Sequence, residues 1–146
     1  MALSLALFGE FALFRDGERV ELPASKKTRA LLAYLALNPR PHRRERLCDM
    51  FWERTDDPRA ALRWSLTKLR PLVNDPETER LHADRERIMF QKDSLTSVPG
   101  DIEDQPLAGL DLPDCETFQA WLVAERDHLS QSRSVDANDR QGPRGF

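Results

Sequence analysis

Asp57-Pro-Arg-Ala-Ala-Leu-Arg-Trp-Ser-Leu-Thr-Lys-Leu-Arg-Pro-Leu-Val73 is the stretch on which the fold turns. Asp57 suits a helix N-cap, its carboxylate accepting from an N–H of the first turn. Pro58 follows at the first helical position, where its missing N–H does no harm. Leu62, Leu66, Leu69 and Val73 fall in one narrow stripe at the helical period. The opposite face carries Ala60, Trp64, Thr67 and Lys68, flanked by Arg63. One side of this helix is therefore apolar, and the other offers hydrogen-bonding groups beside an aromatic ring. Pro71 removes a helical hydrogen bond and leaves the end open between Arg70 and Val73.

Upstream, a helix is predicted from about Arg43 to Trp52, with Leu47, Met50 and Phe51 inward and Arg43, Arg44 and Arg46 crowding its first turn. Cations there oppose the helix dipole. A bound anion would offset that cost, although exposed arginines also survive such positions unaided. Before it, Ser25 caps a helix from about Lys26 to Leu37, whose run Ala30–Leu37 is apolar nearly all round and so central. The first 22 residues read as strands. Leu3, Leu5 and Leu7 alternate, Phe11 and Leu13 resume the alternation after Gly9-Glu10, and Asp16-Gly17 is a hairpin turn whose two positions want positive φ. Arg19 to Leu22 follows as a third strand. The meander is apolar on one face and needs a cover.

Downstream, Arg80 to Asp93 reads as a hairpin, with Leu81 and Ala83 on one arm, Ile88 and Phe90 on the other, and Asp84-Arg85-Glu86 at the tip. Residues 94–113, rich in Ser, Thr, Pro, Gly and acids, read as a linker. Asp114 caps a fourth helix to about Leu129, with Cys115, Phe118, Leu122 and Leu129 on one face. Residues 130–146 have almost no apolar content and read as disordered.

The 146 residues leave room for one compact domain, here 1–93, plus an appendage, and 40% hydrophobic with 32% charged residues is globular composition. No apolar run approaches the ~20 residues of a membrane span. The N-terminus lacks a basic lead and Glu10 interrupts it, so it reads as a strand rather than a signal peptide, in a cytoplasmic protein. Cys48 and Cys115 are far apart with no CxxC spacing, which suits two reduced thiols and no metal site. Net charge is −3, but unevenly spread. Residues 26–70 hold twelve Lys/Arg against five acids, and residues 71–146 hold eight against sixteen. Enzyme readings fail on chemistry: there is no Gly-rich phosphate loop, no HExxH, and His42, His82 and His128 are scattered. No cofactor is expected.

Three helices followed by a charged hairpin predict an α+β winged helix-turn-helix, with an N-terminal antiparallel sheet, three helices and a C-terminal β-hairpin wing. In that arrangement the third helix, about Pro58–Val73, lies in the major groove of DNA. Arg63, Thr67 and Lys68 then reach base edges, and Trp64 packs on a sugar or a thymine methyl. Lys26, Lys27, Arg43, Arg44 and Arg46, at two helix starts, suit phosphates, as does Arg85 on the wing. Bland readings stand beside these. Trp64 can fold sideways over Lys68 as surface packing, and Arg59 and Arg70 read as ordinary surface charges. His42 and Cys48 read as structural. The same geometry also serves as a protein-interaction module without DNA binding.

An ordered set of short motifs carries a resemblance. Leu5-Ala-Leu-Phe-Gly9, Asp16-Gly17, Leu22-Pro23, Lys27, Ala30-Leu-Leu-Ala-Tyr-Leu35, Arg44-Glu-Arg-Leu47, Phe51-Trp52, Ala60-Ala-Leu-Arg63 and Leu66-Thr-Lys-Leu-Arg70 span roughly residues 3–93. Together they resemble the DNA-binding domain of the Streptomyces antibiotic regulatory protein family, itself similar to the OmpR-type winged helix. The resemblance implies a bacterial transcriptional regulator, usually an activator, that binds direct repeats of double-stranded DNA as side-by-side protomers and engages RNA polymerase. It places Arg63, Trp64, Thr67 and Lys68 on the recognition helix and Lys27 at the start of the first helix. Leu107-Ala-Gly-Leu-Asp-Leu-Pro113 through Phe118-Gln-Ala-Trp121 and Ala124-Glu-Arg126 resembles the opening of the bacterial transcriptional activator domain. That domain is a stack of helical hairpins supporting dimerisation, and this chain has no such stack after Leu129. A shortened relative of that kind is expected to act as a regulator or as a competitor of a longer one.

Overall fold

The computed structural model describes residues 2–98 and 103–141, with the backbone alone from 133 onward. It is an α+β structure of four helices and two sheets, winged-helix-like in its arrangement. The first sheet holds β1 (Leu3–Ala6), β2 (Ala12–Arg15) and β3 (Glu18–Val20). Asp16 and Gly17 join β2 to β3 at φ 52° and 84°, the left-handed pair the hairpin requires. Leu3, Leu5 and Leu13 turn one face of the sheet into the core.

Helix α1 (Lys26–Leu37) begins where the Ser25 hydroxyl accepts from the Thr28 N–H. Its residues Ala30–Leu35 are buried, as an apolar run on all sides demands. A two-residue strand β4 (His42–Arg43) precedes α2 (Arg44–Trp52), so Arg43 is the extended N-cap and the helix starts one residue later than its periodicity suggests. Helix α3 (Pro58–Val73) is capped by the Asp57 carboxylate, 3.0 Å from the Ala60 N–H. Leu62, Leu66, Leu69 and Val73 are all buried. Among them Ser65 meets Thr28 of α1, hydroxyl to hydroxyl at 2.8 Å, a buried polar pair that fixes the register between the two helices. Pro71 lies inside α3, in its last turn, so the helix runs on to Val73.

The second sheet contains the hairpin expected to form the wing. β5 (Leu81–Ala83) pairs with β6 (Arg87–Phe90), setting Leu81 against Phe90 and Ala83 against Ile88, and β4 adds to the far edge of β6. Two residues are too short to carry any periodicity, which is why β4 is silent in the sequence.

The stretch 94–113 does more than link. β7 (Thr96–Val98) joins β1 in parallel, completing the order β3-β2-β1-β7. Leu107, Leu110 and Leu112 are buried, and Leu107 and Ala108 donate backbone N–H groups to Leu7 and Gly9. Polar composition masked these three leucines, and a strand held by backbone pairing alone leaves no side-chain signature. Helix α4 (Glu116–Gln141) packs Phe118 and Leu122 into the core, with Phe118 at 5.0 Å from Phe51 and Trp121 edge-on to Tyr34 at 5.0 Å. Its backbone continues through 130–141, read above as disordered. An established helix extends through polar residues at little cost, because nucleation is already met. Residues 142–146 lie outside the described residues.

Candidate nucleic-acid interface

The site is built on α3, and α3 is held at both ends. At its C-terminus the unsatisfied carbonyls attract cations. Arg15 of β2 donates to the carbonyls of Pro71 and Leu72, and buried Arg80 donates to that of Val73 while pairing with Asp75 at 3.0 Å. Asn74 bonds the Leu81 backbone both ways, its amide donating to the carbonyl and its oxygen accepting from the N–H. The end of α3 is thus sewn to the N-terminal sheet and to the wing.

The wing tip is equally fixed. The Asp84 carboxylate accepts from the N–H groups of Arg87 and Glu86 at 2.7 and 2.8 Å, bonds that hold its pKa below the ordinary carboxylate value. Arg44, the first residue of α2, donates its backbone N–H to the Glu86 carbonyl and its Nε to the Asp84 carbonyl. Arg44 therefore shapes the wing as well as charging it.

Between the wing tip, the start of α2 and the start of α3 lies a cleft of about 560 Å³. Arg43, Arg44, Arg59, Arg63, Arg85 and Arg87 line it against only Glu45 and Glu86, with Leu62 behind. Among the described residues, no hydrogen bond or ion pair engages the side chains of Arg43, Arg63, Arg85 or Arg87. Arg59 pairs with Glu45 at 3.4 Å, but both are largely exposed, and such a pair is weak. A second depression shares Arg44 and Arg63 and continues along α3 past Thr67 and Arg70 to Asn74. Arg59, Arg63, Thr67 and Arg70 are spaced four, four and three residues apart, one row on the wing side of the helix.

The neighbouring row holds Trp64 and Lys68. Trp64 is 49% exposed, and the Lys68 ammonium lies 5.5 Å from its ring centroid. Thr67 is exposed and donates its hydroxyl proton back to the Arg63 carbonyl at 2.9 Å, so outward it presents a lone pair and a methyl group.

The predicted site residues thus divide. Arg43, Arg44, Arg63 and Arg85 converge on the cleft, and Trp64, Thr67 and Lys68 stand exposed beside it. Lys26, Lys27 and Arg46 are not among the residues lining the cleft. Lys27 is half-buried at the start of α1, and Arg46 is exposed on α2. Arg59 and Arg70, both read as ordinary surface charges, line the cleft and the second depression respectively, and Arg87 lines the cleft without having been singled out. The spacing of Arg59 from Arg63 was the available signal. His42 is buried and its pKa is lowered, first by desolvation, against a bond to the Asn38 carbonyl.

No family model matches the chain, and no curated protein matches it in sequence. No described helix is long and apolar enough to cross a membrane. Among solved structures the chain is similar to Mycobacterium tuberculosis EmbR in complex with a low affinity phosphopeptide, with a TM-score of 0.62 and 19% identity. The match covers 96% of this chain and 46% of that one, so this chain spans about half the length of that relative. At this identity the likeness is one of fold, and it fits the winged-helix-like arrangement described above.

Proposed function

We propose that this chain is a sequence-specific DNA-binding transcriptional regulator of activator type, with α3 in the major groove and the wing on the adjacent backbone. The observation that carries this reading is the arginine cleft beside the exposed row of Trp64, Thr67 and Lys68. Phosphates suit the cleft, because neighbouring guanidinium groups repel one another until an anion sits between them. Base edges suit the row, because a lysine donor and a threonine acceptor distinguish bases in the major groove. The fold shared with EmbR supports a transcriptional regulator of the Streptomyces antibiotic regulatory type. Direct-repeat operators, side-by-side protomers and contact with RNA polymerase follow from the same resemblance and belong to this proposal.

Salt titration tests it. With about five phosphates engaged, log K should fall against log[salt] with a slope near roughly −4.5. Selection of bound duplexes from a random pool should return a defined motif. A flat salt response, or a pool with no enriched motif, rejects the reading.

A further inference from the structure

Resting on that DNA reading, we infer that Trp64 is a positioning residue: it holds the Lys68 ammonium in the direction from which Lys68 reads a base, and so sets the preference at that one base position. The two side chains are four residues apart on α3, the spacing that brings helical side chains together, and the ammonium lies 5.5 Å from the ring centroid. Trp64 is not required by the core. Leu62, Leu66, Leu69 and Val73 fill the buried stripe, Ser65 makes the junction with α1, and the indole stays 49% exposed.

A lysine side chain has many rotamers, and fixing them costs entropy. For a phosphate contact this matters little, since phosphate presents acceptors all round and most lysine orientations meet one. A base edge is different: it offers acceptors in one plane and at fixed places, as with O6 and N7 of guanine. An aromatic face beside the ammonium narrows the rotamers it samples and leaves N–H donors to point outward. The cation over the ring also occupies the face that would otherwise stack on a sugar or base. Trp64 therefore acts through Lys68 rather than by touching DNA itself.

The test is selection from a random duplex pool with the full chain in five forms: wild type, Lys68→Ala, Trp64→Ala, Trp64→Phe and the double alanine variant. Lys68→Ala locates the position that Lys68 reads. Trp64→Ala is expected to reduce discrimination at that same position by about two- to fivefold, the size of an exposed cation–π contact. Trp64→Phe should retain most of the preference, and the double variant should be no worse than Lys68→Ala. The salt slope should be unchanged in both Trp64 variants, since no charge is lost. In the unbound protein the Lys68 side-chain proton shifts should move in Trp64→Ala, reporting loss of the ring without any DNA. Relaxation at a different position, unchanged preference in Trp64→Ala, or no position relaxed by Lys68→Ala would each overturn the inference while leaving DNA binding intact. A wild-type chain without salt-dependent binding would overturn the DNA reading and this inference with it.

Discussion

Arg126 on α4 and Arg63 on α3 carry the same group in opposite surroundings. Arg126 is nearly buried and every bond it makes is internal: to the carbonyls of Pro106 and Leu107, each at 2.9 Å, and to both oxygens of Asp111 at 2.8 and 2.9 Å. Gln119 joins the same carboxylate, and together these bonds pull the Asp111 pKa far below its ordinary value. Arg15 and Arg80 behave like Arg126. Arg63 instead lines a cleft with five other arginines and no internal partner among the described residues. Charge counting cannot separate the two groups. What separates them is the neighbour: Arg15, Arg80 and Arg126 sit beside orphaned carbonyls and hold the fold together, whereas in the cleft six guanidinium groups face only two carboxylates, Glu45 and Glu86.

If α4 belongs to the structural half of this contrast, its loss should unfold the domain. Phe118→Ala removes a fully buried ring packed on Phe51 and should cost about 3–5 kcal/mol in urea denaturation. Removal of 94–146 should then abolish folding rather than raise DNA affinity, as would be expected of an inhibitory tail. A truncated chain that stays folded and binds DNA more tightly would break the contrast at its root. Arg126→Met strands two carbonyls and a carboxylate and should cost about 2–3 kcal/mol, with the salt slope of DNA binding unmoved. A changed slope at unchanged stability would place Arg126 with the wrong group.

On the functional half, Thr67→Val keeps the methyl and removes the outward lone pair. It should cost about 1 kcal/mol or more of discrimination at one base position that presents an amino group, read by pool selection. Arg85→Ala should lower the salt slope by about one unit and weaken all sequences alike, with stability unchanged within about 0.5 kcal/mol. The smallest effect is one of pH. His42 has a native pKa below 6.5, so in the window beneath 6.5 the unfolded chain takes up a proton that the folded chain does not. Stability should fall as pH drops through that window, and His42→Phe should flatten the trend in denaturation midpoints measured on either side of 6.5.

The helices were legible because each carries its own punctuation: Ser25 and Asp57 as caps, and leucines at helical spacing on α3. The hairpin turn at Asp16-Gly17 was legible for the same local reason. β4, β7 and the burial of Leu107, Leu110 and Leu112 were not, because their partners lie far along the chain and only assembly reveals them. Within the site, the outward face of α3 followed from its stripe of leucines. The membership of Arg59 and Arg87 depends on how the hairpin and the starts of α2 and α3 meet, which no local spacing encodes.

The two-way bond between Asn74 and Leu81 has a mechanical meaning. It ties α3 and the hairpin behind it together like the two jaws of a calliper, joined at one end. If the proposed DNA reading holds, Asn74→Ala should leave the grip on duplex in place yet blur the sequence preference, as pool selection would show.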